Sequence, residues 1–107
     1  MRTFRTLQLA TDFYDKADRL KIKGHLRDQL LRGASSVALN LSEGNAKFSV
    51  DEKKRFYQIA YASLQECKTI LKLIRCEDED LIDSADKLGA WIYNLLKSEI
   101  KVQNFRS

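Results

Sequence analysis

The sequence predicts an all-α fold, an antiparallel up-down-up-down four-helix bundle in which residues 1–107 form a single domain. Its 107 residues are the length of one ordinary domain. It has no proline and only four glycines, too few chain-breaking residues for the many turns of an all-β fold. Apolar residues recur every three or four positions in four segments, and amphipathic helices joined by short connections bury such faces by packing antiparallel.

The first two helices are predicted at about residues 4–20 and 25–43. The apolar face of the first consists of Leu7, Ala10, Tyr14 and Ala17. The face of the second consists of Leu26, Leu30, Ala34, Val37 and Leu41. We predict that Gly44 ends the second helix as a left-handed C-cap, because glycine adopts positive φ without strain.

The third and fourth helices are predicted at about residues 49–75 and 80–104. Ser49 and Glu52 have the spacing of a capping box, which sets the start of the third helix. Its core face is predicted as Phe56, Ala60, Ser63, Cys67, Ile70 and Ile74. The acidic run 77–80 marks the next helix start, since carboxylates favour the positive end of a helix dipole. The fourth face is Leu81, Ala85, Leu88, Ile92 and Leu95.

Charge and cysteine content favour a cytoplasmic protein that does not insert into a membrane. The net charge is +4, with the basic excess in residues 1–76 and an acidic excess in residues 77–107. This asymmetry fits a polyanionic partner, contact between copies, or simply solvated helix faces. No apolar stretch is long enough for a signal or a membrane span. Cys67 and Cys76 are too far apart on one helix to bridge, and free thiols suit a reducing compartment.

Three of the helices carry more apolar surface than one bundle face requires. Tyr57, Tyr61 and Leu64 form a second line about 100° from the predicted core face of the third helix. Trp91 lies to one side of the core face of the fourth helix and Tyr93 to the other. On the second helix, Leu39 interrupts a polar ridge formed by Arg32, Ser36, Asn40 and Glu43, with Arg32 and Glu43 in reach of one another. These surfaces are either a wide core and ordinary polar surface or, as we favour, contacts between copies.

Two basic clusters are candidates for binding nucleic acid. Arg19, Lys21, Lys23 and Arg27 surround the first connection, and Lys47, Lys53, Lys54 and Arg55 lie around the second. An antiparallel bundle places these clusters at opposite ends. Either could contact phosphates without reading bases, and solvated surface is the alternative interpretation.

Enzymatic chemistry is not predicted, and neither is a catalytic residue, a cofactor or a metal ion. His25 is the only histidine, so the chain has no pair of histidines for a metal site. No base stands at a spacing that would activate Ser35 or Ser36, and the glycines form no phosphate-binding loop. The competing hypothesis is a small-ligand or catalytic site in which Arg32, Asn40, Glu43 and Glu66 converge on a pocket.

The second and third helices carry a motif that resembles a bacterial family. It has an arginine, a serine with an aliphatic neighbour, an Asn-aliphatic-x-Glu-Gly group and a later Ser-Leu-x-Glu group. These positions are Arg32, Ser36, Val37, Asn40, Leu41, Glu43, Gly44, Ser63, Leu64 and Glu66. The pattern is similar to that of the four-helix bundle proteins encoded in intervening sequences of 23S ribosomal RNA, which are related to accessory proteins of diversity-generating retroelements.

The resemblance implies a bundle that assembles into a homopentameric ring and binds nucleic acid without catalysis. The expected partners are therefore further copies of the chain, together with RNA or a nucleic-acid-handling protein. On this interpretation the motif residues, with Leu39, Tyr57, Tyr61 and Trp91, belong to contacts between subunits. Substitution of Glu43 distinguishes the hypotheses, since it disrupts assembly in one and ligand binding in the other.

Overall fold

The structure, a computed structural model, describes the backbone of residues 2–106 and the side chains of residues 2–101. It contains α1 (Arg2–Asp18), α2 (His25–Ala46), α3 (Val50–Leu73) and α4 (Glu79–Arg106). These helices form an elongated bundle of 48 × 21 × 21 Å. The predicted all-α four-helix bundle is confirmed.

Contacts between neighbouring helices show that the chain reverses direction at each connection. The Arg2 guanidinium donates to the Ser98 hydroxyl, whereas Lys16 near the end of α1 pairs with Asp80 at the start of α4, at 3.3 Å. Between α2 and α3, the Ser36 and Ser63 hydroxyls lie 2.9 Å apart and the Tyr57 hydroxyl donates to Asn45 at 2.7 Å. Between α3 and α4, Lys68 pairs with Asp86 at 2.9 Å, and Leu64 is the nearest side chain to Gly89.

The two ends of the bundle therefore differ in composition. The double-connection end carries residues 19–24 and 74–78. The single-connection end carries residues 47–49, the start of α1 and the last turns of α4. This division determines which charged side chains become neighbours.

The core is built from rows of side chains spaced alternately three and four residues apart, as in bundles with coiled-coil packing. The predicted faces of α2 and α4 are buried, apart from the partly buried Leu26. In α1 the buried residues are Thr6, Leu9, Ala10, Phe13 and Ala17, whereas Leu7 and Tyr14 are only partly buried at its edge.

The predicted core face of α3 is correct at three of its six positions. The buried residues of α3 are Tyr57, Ala60, Leu64, Cys67, Ile70 and Leu71. The predicted residues Phe56, Ser63 and Ile74 are only partly buried. Both the predicted and the observed row contain Ala60, Cys67 and Ile70, and one turn before Ala60 both Phe56 and Tyr57 are large apolar candidates. Only packing between α2 and α4 decides that the row through Tyr57 and Leu64 is the inner one.

The predicted C-cap at Gly44 is also wrong, because α2 continues to Ala46 and Lys47 is its cap. Gly44 is a buried helical residue in the core row of α2. A Cβ placed there would lie 2.6 Å from Cε1 of Tyr57. Glycine is required at this position because the Tyr57 ring packs directly against the α2 backbone.

The remaining helix ends have identifiable caps. Ser49 Oγ accepts a hydrogen bond of 3.1 Å from the Glu52 N–H, which confirms the serine half of the capping box. Asp78 Oδ1 accepts from the Leu81 N–H at 3.1 Å, so the acidic run caps α4. At the end of α3, Arg75 has φ 53° and the Cys76 N–H donates to the Leu71 carbonyl, as in a Schellman motif.

No helix within residues 2–106 contains an apolar stretch of the length needed to cross a membrane.

We expect Gly44→Ala to lower the free energy of unfolding by about 1–3 kcal/mol, because overpacking against Tyr57 outweighs the better helix propensity of alanine. Gly89→Ala is the matched control, since the nearest atom to a Cβ there is Leu64 Cδ2 at 3.4 Å. The control should leave stability unchanged or raise it by up to about 1 kcal/mol. Urea denaturation followed by circular dichroism measures both, and equal effects would refute the packing explanation.

Candidate functional site

A polar group bounded by exposed apolar side chains forms the outer surface between α2 and α3. We define this α2–α3 surface by Ser36, Leu39, Asn40, Ile59 and Ser63. The Asn40 amide donates to the Ser36 carbonyl at 2.8 Å and to the Ser36 hydroxyl at 3.1 Å, and that hydroxyl meets Ser63. Leu39 is 65% exposed and Ile59 is 39% exposed. The surface thus presents exposed apolar side chains around polar groups that already form hydrogen bonds within the protomer.

The two helices come close enough for these contacts because Gly33 has no side chain. A Cβ at Gly33 would lie 2.7 Å from Cys67 Sγ and 3.6 Å from the Ser63 carbonyl oxygen. The Cys67 thiol also donates to the Leu30 carbonyl at 3.7 Å, which links the same two helices. The short serine-to-serine contact follows from this close approach.

The charged residues of the family motif lie at the two ends of the α2–α3 surface. Arg32 and Glu43 are three helical turns apart, about 16 Å along the axis. Their predicted mutual contact is therefore wrong within one protomer, and Glu43 instead pairs with Lys47 at 3.6 Å. Arg32 and Glu43 therefore do not pair with each other within the protomer, and a second molecule could contact both.

The competing ligand pocket does not assemble as predicted. Arg32 and Glu66 do line one shallow groove together with Ser36 and Ser63. Asn40 and Glu43 do not line it, so the four residues fail to converge. No described buried side-chain nitrogen or oxygen lacks a hydrogen-bond partner, and no group of three metal-ligating side chains is found among the described residues.

The predicted second line on α3 is partly a core feature. Tyr57 and Leu64 are fully buried within the protomer, which corrects their assignment to a contact between copies. The Tyr57 hydroxyl donates to Asn45 Oδ1 at 2.7 Å. Tyr61 and Trp91 are partly buried against the core, each with a remaining exposed edge.

A second exposed apolar surface lies between α3 and α4. Its two tyrosines were predicted as surplus apolar residues, whereas Ile100 and the union of the tyrosines in one surface were missed. The Lys68–Asp86 pair fixes the register between the two antiparallel helices. Tyr61, seven residues before Lys68, and Tyr93, seven residues after Asp86, therefore lie at the same level along the bundle. Tyr93 is 53% exposed and Ile100 is 42% exposed. We call Tyr61, Tyr93 and Ile100 the α3–α4 surface. Their shared level depends on the register between two helices, which the pattern of either helix alone does not contain.

One of the four side chains in the basic cluster around the first connection is neutralised in the folded chain. Arg27 pairs with Asp18 at 2.8 Å and donates to the Asp18 and Leu20 carbonyls, so it holds the connection together. Arg19, Lys21 and Lys23 are exposed. The acidic run 77–80 lies at this same end, and its Asp80 pairs with Lys16. The double-connection end therefore presents mixed charge.

The single-connection end is positive. Its described basic side chains are Arg2, Arg5, Lys47, Lys53, Lys54, Arg55, Lys97 and Lys101, and its acidic ones are Glu43, Asp51, Glu52 and Glu99. Lys47 pairs with Glu43 and Glu52, Lys53 donates to the Gly44 carbonyl at 3.4 Å, and Lys54 also has a partner. Lys47 and Arg55 lie over the Phe56 ring, at 5.3 and 5.9 Å. The antiparallel topology brings the basic residues of the first turns of α1 and the lysines of α4 to the same end as the predicted cluster, although they are distant from it in sequence.

The burial of Tyr57 makes stability depend on pH. Burial raises the pKa of Tyr57 to about 12, and the charge of Glu99 adds to the rise. Its stabilising contribution is therefore complete below the unfolded pKa of about 10 and is lost as pH rises from about 10 to about 12.

We expect the free energy of unfolding to fall more steeply between pH 10 and 12 in the wild type than in Tyr57→Phe. Urea titrations at pH 8, 10 and 11.5 measure the free energy of unfolding of both proteins. An equal fall with pH in the wild type and in Tyr57→Phe would contradict titration of a buried Tyr57.

A solved structure has the same fold. It is the crystal structure of a protein of unknown function from the S23 ribosomal protein family of Bacteroides thetaiotaomicron, with a TM-score of 0.80 and 17% sequence identity. The match covers 91% of this chain and 99% of the other. At that identity the likeness establishes the fold alone. No curated protein matches the sequence.

The family model for the 23S rRNA-intervening sequence protein matches residues 4–95, a range that contains the whole Arg32-to-Glu66 motif. The match extends over all of α2 and α3 and most of α1 and α4. The chain therefore belongs to the 23S rRNA-intervening sequence protein family.

Proposed function

We propose that the chain is a non-catalytic, self-assembling bundle of the cytoplasm, whose copies form a homopentameric ring that binds RNA at the single-connection end. The observation that carries the proposal is Leu39, which is 65% exposed on the outer side of α2 amid the polar residues of the family motif. Burying such a side chain against another protomer is favourable, because it removes apolar area from water.

The composition of the α2–α3 surface supports a protein contact. Its exposed apolar side chains lie beside polar groups that are satisfied within the protomer, and its charges lie at the two ends, as charged residues do at the rim of an interface. Arg32 and Glu43 have opposite charges at opposite ends of this face. A second copy can pair with both, whereas the protomer itself leaves them about 16 Å apart along the helix.

The second apolar surface favours a ring over a simple dimer. A two-fold dimer uses the same patch on both copies, but a ring joins two different patches head to tail. The α2–α3 and α3–α4 surfaces lie on adjacent sides of the bundle. In the proposed ring, the α2–α3 surface of one copy packs on the α3–α4 surface of the next, and the number five is what the family resemblance implies.

Charge supports the choice of the single-connection end for RNA. In a ring whose axis runs along the bundles, five copies bring their positive ends to one rim. Lys and Arg side chains arranged in this way contact several phosphates at once, and such contacts carry no base specificity. The double-connection end is not proposed as a binding surface, because its basic side chains share that end with the acidic run 77–80.

We expect Leu39→Glu to convert the assembly into monomers of 12.4 kDa, because a charge at the centre of the contact cannot be desolvated without a partner. Size exclusion coupled to light scattering at micromolar concentration measures the mass. Phe4→Glu is the matched control, since Phe4 is 56% exposed but lies on α1, away from both apolar surfaces. A wild type that is already monomeric, or an equal loss of mass in both variants, would overturn the assembly proposal.

We expect the double variant Arg5→Gln/Arg55→Gln to weaken RNA binding at 50 mM salt on the order of tenfold and to reduce the salt dependence of the affinity. Lys21→Gln/Lys23→Gln removes the same charge from the double-connection end. This control should leave the RNA affinity and its salt dependence unchanged. Fluorescence anisotropy with a labelled structured RNA measures them. Absence of binding by the wild type, an affinity independent of salt, or equal effects of both variants would contradict the RNA proposal.

A further inference from the structure

The connection between α2 and α3 holds a phenylalanine entirely in solvent. Phe48 is 100% exposed, more than any other large apolar side chain among residues 2–101. It lies at the tip of the positive end, between Lys47 and Ser49. An aromatic ring without protein contacts gains no packing energy in the protomer, so the fold gives no reason for it.

The backbone on both sides of Phe48 is fixed by helix caps. Lys47 is extended, with φ −83° and ψ 151°, and its N–H donates to the Gly44 carbonyl at 3.2 Å. Ser49 is extended as well, with φ −84° and ψ 147°, and its hydroxyl accepts from Glu52. The ring is therefore presented from a short connection anchored at each end, which reduces the entropy lost when a ligand stacks on it.

The charges near the ring favour one class of partner. Lys47 directly precedes Phe48, and its ammonium lies with the Arg55 guanidinium over the Phe56 ring. Lys47 is paired with Glu43 and Glu52, so Arg55 is the cation that we assign to a phosphate. Aromatic rings set among cations are how proteins bind single-stranded nucleic acids, because a base stacks on the ring while its phosphates meet the cations. A membrane surface is less well matched, since interfacial binding uses a whole apolar helix face rather than one ring in a polar connection.

We propose that Phe48 is a stacking platform for an unpaired base of a single-stranded nucleic acid, whose flanking phosphate contacts Arg55. The inference rests on the proposed function for the class of ligand, and it adds the base contact and a preference for unpaired strands. Bases within a duplex are already stacked on both faces and do not offer one to a protruding ring.

The test compares oligo-uridylate and oligo-thymidylate with a duplex of the same length, by fluorescence anisotropy at 50 and 200 mM salt. We expect Phe48→Ala to weaken single-strand binding on the order of 5- to 100-fold and duplex binding hardly at all. The salt dependence of the affinity of Phe48→Ala should match that of the wild type, because the substitution removes no charge. Phe48→Trp should retain binding, and Arg55→Gln should reduce the salt dependence.

Matched controls separate this inference from the proposals on which it rests. Leu73→Ala removes a side chain that is 65% exposed at the other end of α3, and it should have no effect on binding. Wild-type binding with no loss in Phe48→Ala would overturn the stacking inference alone. No binding of any nucleic acid by the wild type would overturn it together with the RNA proposal.

Two further outcomes would assign the ring elsewhere and also overturn the inference. One is a fall in the mass of Phe48→Ala by light scattering, which would place Phe48 in a contact between copies. The other is loss of sedimentation with anionic phospholipid vesicles in Phe48→Ala while oligonucleotide binding is retained.

Discussion

The close packing of α2 against α3 is the constraint on which the rest of the structure depends. Two glycines of α2 permit it: Gly33 leaves room for the Cys67 sulfur and Gly44 for the Tyr57 ring. Both lie where a methyl group would collide with a buried side chain. The energetic benefit is dense packing, which compensates for the helix propensity that each glycine sacrifices.

The outer surface follows from this inner contact. Because the helix backbones are close, the Ser36 and Ser63 hydroxyls meet at 2.9 Å and Asn40 completes the group from within α2. These polar groups satisfy one another and can be covered by another protein without an unpaired donor. Leu39 and Ile59 are then left beside them, exposed. The family motif thus combines residues that bring two helices together with residues that face outward from the join.

The helix pattern was largely predictable from the sequence, and the assignment of faces less so. The faces of α2 and α4 could be predicted because one continuous apolar row runs along each, while Leu39 and Trp91 lie outside it. In α3, apolar residues flank both sides of Ala60 and Cys67, so periodicity could not decide whether Phe56 or Tyr57 faces inward. Gly44 was mistaken for a cap because the sequence contains no information on the ring that packs against it.

The candidate site was predictable only where it lies on one helix. The hydrogen bond between Ser36 and Asn40 lies within one helix. The contact of Ser36 with Ser63, the alignment of Tyr61 with Tyr93, and the presence of Arg5 and Arg55 at one end all depend on topology and register. Phe48 falls in a predicted connection between helices, but only the fold shows that its side chain is fully exposed.

The proposed ring is tested most directly by an experimental structure of the protein as it assembles in solution. We expect five copies in which a neighbouring subunit buries Leu39 and Ile59. An isolated protomer, or an assembly that leaves Leu39 in solvent, would contradict the proposed ring.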